Sequence, residues 1–167
     1  WNQDTFRQIL DEGKQKLIAL GNDEIKLKPD DYKVYLSPHA LNEIIEMLCW
    51  GGFSYKAHKI GTSPLHLMSK GETKLHKTVH ISENLTKGIS PNFHRDGFIK
   101  PNDTELIVNG DYKKSLISPR SGQEYSIKHN GAEYHETPVA IDMKAGKIKH
   151  DEILKTLADG IYISNLW

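Results

Sequence analysis

The stretch ELIVNGDYKKSLIS, residues 105–118, decides the class of fold. Two β-forming runs flank Asn109 and Gly110, and Asn-Gly is the pair that accepts positive φ at both central positions of a two-residue type I′ turn. The reading is a β-hairpin, and with it an antiparallel sheet. Just upstream, KTVHISEN (77–84) alternates apolar and polar residues as a strand does, and from about residue 60 onward short segments are punctuated by Gly, Pro and Asn. RSGQEYSIKHNGAEYHETP (120–138) is polar and contains glycine, which makes it a long surface loop or a set of weak edge strands. KHDEILKTLADG (149–160) reads as a short helix with Ile153, Leu154 and Leu157 inward and Gly160 just past its end, leading into a last strand, IYISNLW (161–167).

The first third of the chain is helical in pattern. From Asp4 to Leu20, Phe6, Ile9, Leu10, Leu17 and Leu20 share one stripe, and Gly21 with Asn22 supplies a C-terminal stop signal. After NDEIKLKPDD (22–31), YKVYL (32–36) has the β-branched and aromatic content of a strand. Ser37 and Pro38 then form an N-cap followed by proline at the first helical position. Leu41, Ile44, Ile45, Leu48 and Cys49 fall at the spacing of a core-facing stripe, and Gly51 with Gly52 loosens or ends the helix, which FSYKAHKIG (53–61) can resume. The fold class is therefore α+β: an antiparallel, β-rich sheet or partly closed barrel, with the 38–50 helix packed on it and a leading helix. No repeat of fixed period is visible.

Bulk properties narrow the function. Lys plus Arg and Asp plus Glu number 22 each, so the formal charge is zero, without a basic stripe for nucleic acid or anionic membrane. No apolar run approaches the roughly 20 residues that span a bilayer, and WNQDTFRQIL lacks the features of a signal peptide. A single cysteine, Cys49, excludes an internal disulfide and favours a reducing compartment. The missing initiating Met and a strand pattern that runs to Trp167 lead us to expect a piece of a longer protein.

Nine histidines raise the question of a metal. His39, with Glu43 four residues on and Glu46 three beyond that, puts an imidazole and two carboxylates on adjacent helical turns; the plainer alternative is that His39 simply pairs with Glu43. His76 and His80 would share one side of a strand about 13 Å apart, too far to share an ion, and His66 does not converge with them. His94 lies in NFHRDGF, where Asp96-Gly97 makes a turn. Cys49 sits on an apolar stripe, where a thiol behaves as a small hydrophobe. Ser118, Ser121 and Ser126 lack a G-x-S-x-G context, and neither a P-loop nor a dinucleotide fingerprint occurs.

The order of segments says more than any one of them. YKVYLSPHALNEIIEMLCWGGFSYKAHKIGTSPL (32–65), RDGFIKP (95–101), the hairpin, and LADGIYISNLW (157–167) together resemble the carboxyl-terminal region of the TldD/PmbA family, assigned as zinc-dependent peptidases and also called modulators of DNA gyrase. The resemblance covers roughly residues 28–167, with 1–27 as the end of a preceding segment and the domain truncated at its end. In the family's catalytic branch, the TldD type, a helix bears H-E-x-x-x-H, whose histidines hold zinc and whose Glu serves as general base. Laying ALNEIIEM on that pattern puts Asn42 and Met47 at the histidine positions and retains Glu43. The resemblance therefore implies the other branch, PmbA (TldE), which lacks the metal motif: no cofactor of its own, a cytoplasmic heterodimer with a TldD-type subunit, and a peptide as substrate, without direct contact with nucleic acid or membrane. The loop from Arg120 to Gly131 is a candidate for peptide contacts by strand addition.

Two alternatives stay open. One is an active metallopeptidase with Glu43 as catalytic residue and its ligands outside this stretch of chain or supplied by His39 and Glu43 in an altered site; the other is a scaffold or interaction domain that has left proteolysis. The sequence does not decide whether the protein is an enzyme.

Overall fold

The computed structural model describes residues 2–88 and 90–166 and divides the chain into two compact units, one ending at Tyr32 and one beginning at Lys33. In the first unit, helix α1 (Gln3–Leu20) starts at Asn2, whose side chain accepts the Asp4 N–H at 2.9 Å, and Asp4 places an acidic group against the positive helix start. None of its residues is buried. Gly21 closes the helix as expected, with φ of −78° and its N–H bonded back to Leu17 and Ile18. Among the described residues no helix is long and apolar enough to cross a membrane.

The second unit begins with β1 (Val34–Leu36) and helix α2 (Pro38–Cys49). Ser37 caps α2 as its sequence predicts, its Oγ accepting the Ala40 N–H at 3.1 Å. The inward face carries Ala40, Ile45 and Cys49, with Leu41 and Leu48 partly buried beside them. Two short helices follow, α3 (Tyr55–Lys59), capped by Ser54, and α4 (His66–Ser69). The chain then builds β2 (Ile81–Asn84), β3 (Asp103–Val108) and β4 (Asp111–Tyr112), helix α5 (Pro119–Glu124), β5 (Ile141–Met143), helix α6 (Ile153–Leu157) and β6 (Ile161–Ile163). The architecture is α+β.

Four strands form one open antiparallel sheet in the order β4-β3-β2-β5, not a barrel. The predicted turn joins β3 to β4, with φ of 54° at Asn109 and 80° at Gly110. Gly110 is required twice over, since a Cβ there would also lie 2.1 Å from the Leu75 carbonyl oxygen. Adjacent Leu106 and Ile107 are both fully buried, and successive side chains point to opposite faces, so β3 is covered on both sides at this level. With Phe53, Leu116, Met68 and Ile81 they form the core, where each large side chain contributes roughly 1.5–3 kcal/mol by leaving water.

Several expectations are corrected. The strand read over 77–84 begins only at Ile81; His76 and Thr78 instead bond to each other in a turn at 2.8 Å, so the strand spacing assumed for His76 and His80 does not apply. The hairpin's return arm pairs for two residues and then leaves β3, because Leu116 exchanges backbone hydrogen bonds with Phe53 (2.7 Å) and Tyr55 (3.0 Å). The polar segment from Arg120 is helical at first, as α5. β5 was not anticipated. In α6, Ile153 and Leu157 are buried at 5% exposure, but Leu154 is 69% exposed, since a single turn and a half has only one inward edge. Finally, β6 does not join an antiparallel sheet but pairs parallel with β1, Val34 opposite Ile161 and Leu36 opposite Ile163, with Tyr35 stacked on Tyr162 at 5.2 Å. Gly160 permits this, because a Cβ there would lie 2.5 Å from the Lys33 carbonyl oxygen. Trp167, the end of the predicted last strand, lies outside the described residues.

Candidate functional site

The polar positions of α2 form two separate side-chain pairs. His39 Nε2 lies 3.3 Å from Glu43 Oε1, and Asn42 Nδ2 donates to Glu46 Oε1 at 2.6 Å. The second Glu43 oxygen accepts the Leu166 N–H at 2.7 Å, so this carboxylate ties α2 to the chain just after β6. Met47, four residues beyond Glu43, is half-buried. The structure thus brings His39 to Glu43 but spends Glu46 on Asn42. Among the described residues no group of three or more His, Cys, Asp or Glu side chains is arranged to hold a metal ion.

The other sequence candidates separate. Cys49 is buried, and burial, followed by the charges of Glu46 and Glu83, pushes its thiol up to about 11, which keeps it protonated and unreactive at neutral pH. His66 stacks on His58 (6.4 Å), while His58 bonds to the Gly52 carbonyl at 2.9 Å and is pushed down first by burial. Ser118 caps α5, accepting the Ser121 N–H at 3.1 Å. No nucleophile is presented among them.

Two arrangements escaped sequence reading. The first is Glu136, 1% exposed, in a left-handed backbone conformation (φ 55°). Its Oε2 accepts the Ser54 hydroxyl (2.6 Å) and the Lys56 N–H (2.9 Å), and its Oε1 accepts the Ser118 N–H (2.8 Å). Burial acts to raise the carboxyl, but the bonds from Ser54, Ser118, Lys56 and Ser121 outweigh it and hold it below its ordinary value. With its lone pairs so occupied, Glu136 is a clasp joining the starts of α3 and α5, with nothing left for a substrate.

The second is an open groove of about 680 Å³. Lys113, Lys114 and Ser115 reach it from the end of the hairpin, Lys128 and His129 from the segment after α5, and Ile99 and Lys100 from the approach to β3. Asn130 fastens the first two segments together: its Oδ1 accepts the Ile117 N–H (2.8 Å) and its Nδ2 donates to the Ser115 carbonyl (2.9 Å). Behind the groove Lys100, 3% exposed, is neutralised by Glu133 at 3.4 Å, and Glu133 also bonds to His94 Nε2 at 3.2 Å. The Asp96 N–H donates to His94 Nδ1 at 3.0 Å, which leaves Nε2 to carry the proton toward Glu133 and closes the turn expected there. Buried Glu83 completes this network; burial raises its carboxyl, against the Val139 N–H and Lys100. The lysine doublet and the Lys-His pair were visible in sequence, but they belong to segments that only the fold brings together.

A family model described as the PmbA/TldA metallopeptidase C-terminal domain matches residues 29–167. No curated protein matches the chain. Among solved structures, a proposed modulator of a DNA gyrase from Thermotoga maritima is similar at a TM-score of 0.68 and 22% identity, covering 84% of this chain and 33% of that one. TldE from Thermococcus kodakarensis gives 0.67 and 14%, over 85% of this chain and 34% of that one. A proposed modulator of DNA gyrase from Bacteroides thetaiotaomicron gives 0.69 and 11%, over 92% and 34%. The chain spans about a third of the length of these structures, and at such identities the likeness shows a shared fold.

Proposed function

Since the chain belongs to the TldD/PmbA family through this C-terminal domain, we propose that it is the noncatalytic, PmbA/TldE-like member of a heterodimer, holding peptide for a TldD-type metallopeptidase subunit. The observation that carries the reading is on α2. At the two positions that the H-E-x-x-x-H pattern gives to histidines stand Asn42 and Met47, and an amide and a thioether do not replace two imidazoles for zinc. Asn42 is bonded to Glu46, and Glu43 is divided between His39 and the Leu166 N–H, so the donors that remain do not suit the metal. In this reading zinc, with the water it activates, belongs to the partner, and this chain contributes walls and peptide contacts. The setting is the cytoplasm, where a lone buried thiol stays reduced.

Elemental analysis of the purified protein tests the reading, with the Glu43→Gln variant alongside. The expected zinc content is far below one ion per chain in both. Near-stoichiometric zinc, or peptide cleavage by this protein alone that is lost in Glu43→Gln, would overturn it. That outcome would favour the second reading, an altered metal site, which the 3.3 Å approach of His39 to Glu43 supports. Copurification with an H-E-x-x-x-H-bearing partner is expected; failure to form that complex would favour an independent scaffold.

A further inference from the structure

We propose that the groove beside Asn130 is a binding site for an acidic, extended peptide segment, its carboxylates met by Lys113, Lys114 and Lys128 and an intervening apolar side chain by Ile99 and Ile117. The inference rests on the peptide-holding role above and adds the class of peptide.

Charge is the first argument. Acidic and basic residues are equal in number over the chain, yet four lysines and a histidine line this groove and no carboxylate does. Lys100 is already paired with Glu133, whereas Lys113, Lys114 and Lys128 are exposed and form no ion pair among the described residues. A smaller hollow of about 100 Å³ on the sheet has a mixed lining by contrast, with Asp103, Glu105 and Asp142 beside Lys144 and His80. A recess lined by one sign concentrates ligands of the other and steers their approach.

Shape and lining supply the second argument. About 680 Å³ falls within the range of roughly 300–1,000 Å³ typical of ligand sites, and Ile99, Pro101 and Ile117 give it apolar surface between the charges. The three contributing segments are held in place by the Asn130 bonds and by the buried Lys100–Glu133 pair, so the groove is formed before a ligand arrives. Nucleic acid fits less well. Tyr55 and the His129 imidazole are the only rings able to stack on a base among the described lining residues, and no arginine is among them, whereas single strands are held on successive stacking platforms in a basic channel.

The test measures fluorescence anisotropy of the purified protein with two short labelled peptides that share their apolar residues, one carrying glutamates and the other lysines in the same places, and with a labelled single-stranded oligonucleotide. The acidic peptide is expected to bind about tenfold or more tightly than its lysine counterpart, with an advantage that shrinks as salt is raised. Lys113→Glu with Lys128→Glu should abolish that preference, while Lys74→Glu, exposed and outside the groove, should not change it. Circular dichroism of the double variant checks that the fold is retained; Lys113→Gln with Lys128→Gln gives a milder form of the same loss. Equal binding of the two peptides would overturn the acidic specificity while leaving the peptide-holding role standing. Absence of binding by either peptide, unchanged binding by the double variant, or tighter binding of the oligonucleotide would each overturn the site. The noncatalytic assignment is read separately, by zinc content.

Discussion

Ser54 and Glu136, 82 residues apart in sequence, meet in the interior, where the Ser54 hydroxyl donates to Glu136 Oε2 at 2.6 Å. The same carboxylate takes the Lys56 and Ser118 N–H groups, so the starts of two helices share one acceptor. Both helices are short, five and six residues, and owe their positions to this clasp more than to their own propensity.

Removing the clasp should therefore be costly. Glu136→Ala leaves two buried donors and the part-buried Lys56 N–H without an acceptor and is expected to lose about 3 kcal/mol, and Glu136→Gln about 2 kcal/mol, measured by urea unfolding. The pH dependence has a definite sign. The folded carboxyl lies below its ordinary value of 4.5, so its contribution is complete above that pH and disappears as pH falls through the lowered folded value. The wild-type urea midpoint should fall with acid more steeply than that of Glu136→Gln; parallel curves would contradict the assignment.

Glu83 should behave in the opposite sense. Burial, its largest influence, and the charge of Glu133 raise its carboxyl above the ordinary 4.5, while the Val139 N–H and Lys100 only partly compensate. Its contribution is present below the ordinary value and is lost as pH rises through the raised folded one. Glu83→Gln, which keeps an oxygen for the Val139 N–H, should therefore gain about 1 kcal/mol over wild type at neutral pH, with the gain shrinking in acid. A clear loss at neutral pH would show that the ionised Glu83 is needed by Lys100.

The hairpin turn gives a geometric prediction. Gly110→Ala introduces a Cβ at φ 80°, 2.1 Å from the Leu75 carbonyl oxygen, and should cost about 2 kcal/mol or more by thermal or urea unfolding. Asn109→Gly, at φ 54° with no such neighbour required, should change stability by less than about 1 kcal/mol. Similar effects at both positions would contradict the steric role of Leu75.

What could be read in sequence was what is encoded locally. Asn109-Gly110 specifies its turn by backbone preference alone, and Ser37-Pro38 announces α2 because an apolar stripe follows at once. Ser118-Pro119 is the same cap signature, yet RSGQEY carries no such stripe, and α5 went unread. Pairings across the domain left no local trace. β1 and β6 find each other only after everything between them is placed, and β5 is three residues beside β2 with an undistinguished alternation. The site divides likewise. The His39–Glu43 pair was visible as an i, i+4 spacing on one helix, whereas Glu136 is one acidic residue in a polar segment until its partners arrive from 80 and 18 residues away.

The parallel contact of β1 with β6 has a consequence for how the domain comes apart. It closes a loop in which Ser37 and Ser164, 127 positions apart, are already bonded at 2.6 Å. The seam is only three residue pairs long and joins segments far apart in sequence, so its amides are expected to exchange with solvent sooner than those of the β2–β3 ladder. Because Glu43 anchors the chain just after β6 to α2, that helix serves as the latch on the seam.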